Sequence, residues 1–99
     1  MSRTLSSAAR FELEIRKSRF LALAERCPSE TDARGFIERI RDPGATHHCW
    51  AWRSGAGYRF DDDGEPGGTA GRPILSAIEH QDLDEVAVVV IRYYGGIKL

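Results

Sequence analysis

Val86-Ala87-Val88-Val89-Val90-Ile91 decides the fold, because every position in the run is apolar. A strand with water on one face alternates apolar and polar side chains. An unbroken apolar run predicts a strand covered on both faces near the middle of a sheet. Arg92, Tyr93 and Tyr94 prolong it toward Gly95-Gly96. Upstream, Pro73 suits the first position of a helix, and Ile74, Leu75 and Ile78 follow as an apolar stripe, which predicts a helix over 72–81 with Asp82-Leu83-Asp84 as the return connection.

Further upstream, Thr46 to Arg53 reads as a strand with unequal faces. His47, Cys49 and Ala51 make a small-residue side suited to close approach of a helix, and His48, Trp50 and Trp52 make a bulky one. Ser54-Gly55-Ala56-Gly57 is a turn, after which Tyr58-Arg59-Phe60 resumes the sheet. Ser29 is an N-cap with Glu30 and Asp32 behind it, and Ala33, Phe36, Ile37 and Ile40 form the stripe of a helix stopped by Asp42-Pro43-Gly44. Phe11 to Ile15 alternates as a half-buried strand does, and a turn at Lys17-Ser18 leads to a second strand over Arg19 to Cys27, giving an antiparallel hairpin. Residues 1–9, rich in Ser and Ala, are expected to be disordered. The order ββαββαβ predicts an α+β fold: a two-layer sandwich with helices on one face of a mixed sheet, over 10–99.

Ninety-nine residues, 41% hydrophobic, suffice for one domain, and a net charge of −1 removes the global basicity of many nucleic-acid binders. No window has the apolar length of a membrane span, and the N-terminus lacks an apolar signal core, so a cytoplasmic location is expected. Cys27 and Cys49 lack the paired spacing of a structural zinc site and are expected to be buried thiols. In an extended segment only His47 shares a face with Cys49, which leaves a thiolate–imidazole pair without an orienting acid.

The chemically densest stretch is Asp61-Asp62-Asp63-Gly64-Glu65-Pro66-Gly67-Gly68-Thr69-Ala70-Gly71-Arg72-Pro73. It admits three readings. A glycine loop running into a helix N-terminus suits an anion, with Arg72 or Thr69 adding donors, although the spacing is not that of a Walker loop. The carboxylates of Asp61, Asp62, Asp63 and Glu65 also suit a hard cation, although not in the spacing of an EF-hand. The third reading is an acidic turn whose carboxylates cap backbone donors. Elsewhere, Arg16, Lys17 and Arg19 form a basic contact patch, and Trp50 and Trp52 serve either as core or as a stacking surface.

Four segments together resemble the IMPACT/YigZ family: Lys17-Ser18-Arg19-Phe20, Ala45 to Trp52, Asp62 to Leu75 and Val88 to Leu99. The run D-D-G-E-P-x-G-T-A-G-x-P is the most specific of these. Trp50 and Trp52 stand where tyrosine is common in that family, and Tyr94 where phenylalanine is frequent. The resemblance implies a fold like the second domain of a small-subunit ribosomal protein. Full-length bacterial relatives carry a further ferredoxin-like domain, and eukaryotic members regulate translation by competing for a coactivator of an initiation-factor kinase. It further implies His47, Asp62, Asp63, Glu65, Thr69, Arg72, Arg92 and Lys98 as the motif residues of a binding site.

Two functions follow as expectations. One is a non-catalytic binding module for a translation-machinery component, RNA or protein, contacted through Arg16, Lys17, Arg19, Trp50 and Trp52, with no cofactor or metal. The other is an enzyme or phosphate/metal-ligand site, with Asp62, Asp63 and Glu65 as acid/base or metal-binding groups, Arg72 as an oxyanion donor and His47 as a proton shuttle.

Overall fold

The computed structural model describes residues 3–15, 18–64 and 70–94. Among them the elements run β1 (Ala9–Ile15), β2 (Ser18–Arg26), α1 (Glu30–Ile40), β3 (His47–Ser54), β4 (Gly57–Asp61), α2 (Gly71–His80) and β5 (Val86–Tyr94). The class and the order ββαββαβ are those expected from sequence. The strands form one sheet in the order β1-β2-β5-β3-β4.

Every pairing between these strands is antiparallel, so the sheet is not mixed. The reason lies in where β5 sits. A helical crossover joins β2 to β3, and those two run parallel, as the crossover requires. Direct pairing between them would have made the sheet mixed, but β5 enters between them and runs opposite to both. Likewise β3 separates the parallel strands β4 and β5.

Alternation along β3 shows that the two helices lie on opposite faces rather than on one. Trp50 and Trp52 point into a core with Phe36 and Ile37 of α1 and with Ala87, Val89 and Ile91 of β5. Ala51, between them, packs instead with Leu75 and Ile78 of α2, joined by Phe60 and Val88. The bulky face of β3 thus receives α1. Its small-residue face lets α2 approach closely, as the side chains at Cys49 and Ala51 suggested.

Local signals account for the elements. Ser29 caps α1 through a full capping box: its Oγ accepts from the Asp32 backbone N–H at 3.1 Å, and Asp32 Oδ2 accepts from the Ser29 N–H at 3.3 Å. Ala33, Phe36 and Ile37 are the buried stripe. Gly71, at the start of α2, lies so close to β4 that a Cβ there would fall 2.7 Å from the Asp61 carbonyl oxygen. Only glycine lets this helix begin against that strand. Upstream of β1, Arg3 pairs with Leu83 in a parallel bridge, and its guanidinium donates to the Gln81 carbonyl at 2.7 Å. No helix among the described residues is long and apolar enough to cross a membrane.

Candidate functional site

β3 brings His47, His48 and Cys49 to one end of the sheet, where β4 runs into the acidic turn. These residues grip that turn one after another. The His47 ring is 2.6 Å from the Asp63 carbonyl, and since a carbonyl only accepts, Nδ1 carries the proton. The His48 backbone N–H donates to Asp63 Oδ2 at 2.6 Å, and Cys49 Sγ donates to the Asp62 carbonyl at 3.2 Å. The chain bends with left-handed backbone at Asp63 (φ 47) and Gly64 (φ 89), and a Cβ on Gly64 would lie 3.3 Å from His47 Cε1. The histidine–cysteine motif and the acidic motif, distant in sequence, are each other's partners.

The carboxylates in this turn are occupied. Asp61 Oδ1 accepts from the Asp63 N–H at 3.0 Å. Asp62 Oδ1 accepts from the backbone N–H groups of Ala70 at 3.1 Å and Gly71 at 2.7 Å. Ala70, the N-cap of α2, offers no side-chain cap, and the first turn of α2 holds no acidic residue. Asp62 therefore supplies the negative charge that a helix N-terminus favours, from across the loop. An anionic ligand at this end would have to displace it. The acidic-turn reading thus describes Asp61, Asp62 and Asp63. Glu65 and Thr69 lie outside the described residues, as do Arg16, Lys17 and Lys98. Among the described residues no group of three or more His, Cys, Asp or Glu side chains is arranged to hold a metal ion.

The two motif arginines diverge. Arg92 is the register partner of His47, and its guanidinium lies 5.7 Å from the centroid of Phe20 on β2. Arg72 lies 5.7 Å from the centroid of Phe60 on β4. β5 and β3 separate those two rings, a spread of ~14 Å at the usual spacing between strands. His47, Asp62 and Asp63 are brought together, Arg92 stands directly across from His47 and lies near Phe20, and Arg72 lies near Phe60.

Trp50 and Trp52 do not form a stacking surface. They are 7% and 6% exposed, Trp52 Nε1 donates to the Cys27 carbonyl at 2.8 Å, and Arg34 of α1 covers Trp50 at 5.4 Å from the ring centroid. The crossover lays α1 across the bulky face of β3 and closes it. Arg19 is also engaged, 4.4 Å over the Tyr93 ring and 3.5 Å from Glu12. Tyr93 donates to Asp42 Oδ2 at 2.6 Å, and this bond holds the Asp42 carboxyl below its ordinary value and pushes the phenol up. His48 Nε2 accepts from the Asp42 N–H at 3.0 Å, which leaves Nδ1 protonated and facing Asp63 Oδ2 at 3.7 Å. Burial, reinforced by Glu25, pushes the Cys27 thiol up to about 11, so it is neutral and a poor nucleophile at physiological pH.

The sequence reading gave too little weight to Tyr58. It is 46% exposed on β4, an edge strand, and shares a sheet face with Phe60 and the Arg72 that covers it. Its position in a short strand beside a glycine turn was the available signal. Among the described residues, Arg26 pairs with Glu85 at 2.9 Å, Arg34 with Glu30 at 3.1 Å, Arg39 with Glu25 at 2.7 Å and Arg59 with Glu30 at 3.5 Å.

Residues 16–99 match the sequence pattern of the Impact N-terminal domain. The chain is 48% identical over 100 residues to an IMPACT family member of Haemophilus influenzae, covering 94% of this chain and 48% of that protein. It is 54% identical over 85 residues to an IMPACT family member of Thermus thermophilus, covering 86% of this chain and 47% of that one. With YigZ of Escherichia coli the identity is 44% over 93 residues, covering 87% and 46%. A crystal structure of a hypothetical protein superposes with a TM-score of 0.89 at 40% identity, covering 95% of this chain and 49% of that chain. The chain therefore spans about half the length of the relatives it matches.

Proposed function

Because the chain belongs to the family of the Impact N-terminal domain, we propose that it is a non-catalytic, cytoplasmic binding module whose partner is a protein of the translation machinery. The link to translation rests on the family resemblance. One observation carries the choice of a protein partner: Tyr58 is 46% exposed on the edge strand β4, while both tryptophans are buried. Tyrosine and arginine anchor protein interfaces, and an open edge strand offers backbone donors and acceptors to an extended segment. RNA would need several cations free to hold phosphates, and among the described residues Arg26, Arg34, Arg39 and Arg59 are paired with Glu85, Glu30 and Glu25.

The test is a salt titration of binding to purified ribosomes, to ribosome-free translation proteins and to single-stranded RNA, with native chain and Tyr58→Ala. The expected result is protein binding that tolerates salt and weakens roughly tenfold or more in the variant, as truncating an interface anchor does. Steep salt dependence with RNA as the bound species would replace the protein partner with a nucleic acid. Loss of no affinity in Tyr58→Ala would remove β4 from the interface.

A further inference from the structure

Among the described residues β4 ends the sheet, so one of its sides pairs with no strand. Gly55 (φ 60) and Ala56 make the two-residue turn between Ser54 and Gly57, and the ladder alternates from that hydrogen-bonded pair. Gly57, Arg59 and Asp61 therefore bond to β3, while Tyr58 and Phe60 turn their backbone N–H and C=O groups outward. Tyr58 is half-exposed, and an open depression of about 380 Å³ runs along Ala56 to Phe60. One outward group is covered: Arg59 reaches back along the edge and donates to the Tyr58 carbonyl at 2.7 Å. A strand joins this edge only when that guanidinium moves aside.

The charge at this edge indicates what moves it. Arg59 lies on the α1 side of the sheet, 3.5 Å from Glu30, but Glu30 is shared with Arg34, which is closer at 3.1 Å. Arg72 adds a second cation on the α2 side, beside Phe60. Asp61 Oδ1 is turned to the Asp63 N–H. A second copy suits the edge poorly, since the fullest overlap of two antiparallel β4 strands pairs Tyr58 with Phe60 and sets Arg59 directly opposite Arg59. A carboxylate in that place draws the guanidinium off the Tyr58 carbonyl instead of repelling it. We propose that β4 takes an extended acidic segment of its partner as a sixth, antiparallel strand, an inference that rests on the protein-partner reading above. The segment sets an acidic side chain opposite Arg59, and the apolar residues on either side of it lie against Tyr58 and Phe60.

The test is an NMR titration of the chain with the capped peptide Thr-Thr-Val-Glu-Val-Thr-Thr at millimolar concentration. Shifts should centre on β4, and amide exchange should slow at Tyr58 and Phe60 but not at Arg59, whose N–H already bonds to β3. The peptide with Lys in place of Glu should bind at least about threefold more weakly. Arg59→Glu, verified as folded by circular dichroism, should reverse that order. N-methylation of both valines should abolish binding, since their N–H groups face Tyr58 and Phe60. Absence of shifts, shifts away from β4, equal affinity for the two peptides, or binding that survives N-methylation would overturn the proposal. So would a dimer in sedimentation that slows exchange at Tyr58 and Phe60 without peptide, which would make a second copy the occupant. Weakened partner binding by Tyr58→Ala with no peptide adding to β4 would keep the protein-partner reading and sink strand addition. The reverse pattern would keep the acidic-strand preference and remove the translation-machinery partner from β4.

Discussion

Replacing Asp62 with alanine tests whether this carboxylate belongs to the fold. Its Oδ1 accepts from the Ala70 N–H at 3.1 Å and the Gly71 N–H at 2.7 Å, and no side chain of Ala70 substitutes for it. Loss of a helix N-cap costs about 0.5–2 kcal/mol, and loss of a negative charge at a helix N-terminus a further ~0.3–1 kcal/mol. The two overlap, so Asp62→Ala should cost ~1–3 kcal/mol, or ~5–15 °C in Tm for a domain of this size. Asp62→Asn keeps an acceptor oxygen and loses the charge, so it should cost ~0.3–1 kcal/mol. Urea and thermal unfolding followed by circular dichroism give both values. Millimolar phosphate should raise the Tm of Asp62→Ala, whose anion seat is vacated, more than that of the native chain. A variant within ~2 °C of native, or a native chain stabilised by phosphate as much as the variant, would refute the assignment of Asp62 as the cap.

Three further outcomes follow from the packing. Gly71→Ala, a change that ordinarily favours a helix by ~0.5–1 kcal/mol, should here destabilise by ~1–3 kcal/mol, because the new Cβ meets the Asp61 backbone at 2.7–2.9 Å; urea midpoints read the sign. Trp52→Phe removes the donor to the Cys27 carbonyl and part of the ring's packing, and should cost ~1–3 kcal/mol in the same assay. Tyr93→Phe should be least stable relative to native near neutral pH. The hydrogen bond lowers the Asp42 carboxyl below its ordinary 3.8, so that contribution is present above 3.8 and lost as pH falls through the lowered value. It raises Tyr93 above 10.0, so the phenol's contribution is present below 10.0 and lost as pH rises through the raised value. The stability difference between native and variant should therefore narrow at both extremes, measured by urea unfolding across pH.

What was legible in the sequence was local. Ser29 and Asp32 announce the start of α1 because a capping box closes within one turn, and β5 announces itself because its apolar run needs no partner to be recognised. The side of the sheet each helix takes was not legible: periodicity identifies the stripes of Phe36 and Leu75 but not the face of β3 each one meets. Trp50 and Trp52 were ambiguous for that reason, since a bulky strand face is core or surface according to where α1 crosses. Asp62 was misleading in another way. A carboxylate in a glycine-rich loop resembles a ligand group, and its role as a cap depends on backbone donors eight and nine residues away being folded back onto it. The family motifs were the most specific feature of the chain, and the contacts between His47, His48, Cys49 and the acidic turn account for part of that motif as architecture.

The central place of β5 also bears on the order in which the protein forms. β1 pairs with β2 and β3 with β4 as adjacent hairpins, and each closes a short loop. β5 follows all four in the chain and joins the hairpins by pairing with β2 and β3, with Leu21 meeting Ile91 across most of the sequence. Until it emerges from the ribosome, the two hairpins share no strand pairing and the inner edges of β2 and β3 stay open. The closing step carries long loops and makes the domain slow to complete for its length. It also makes completion of the domain depend on the stretch that most favours aggregation.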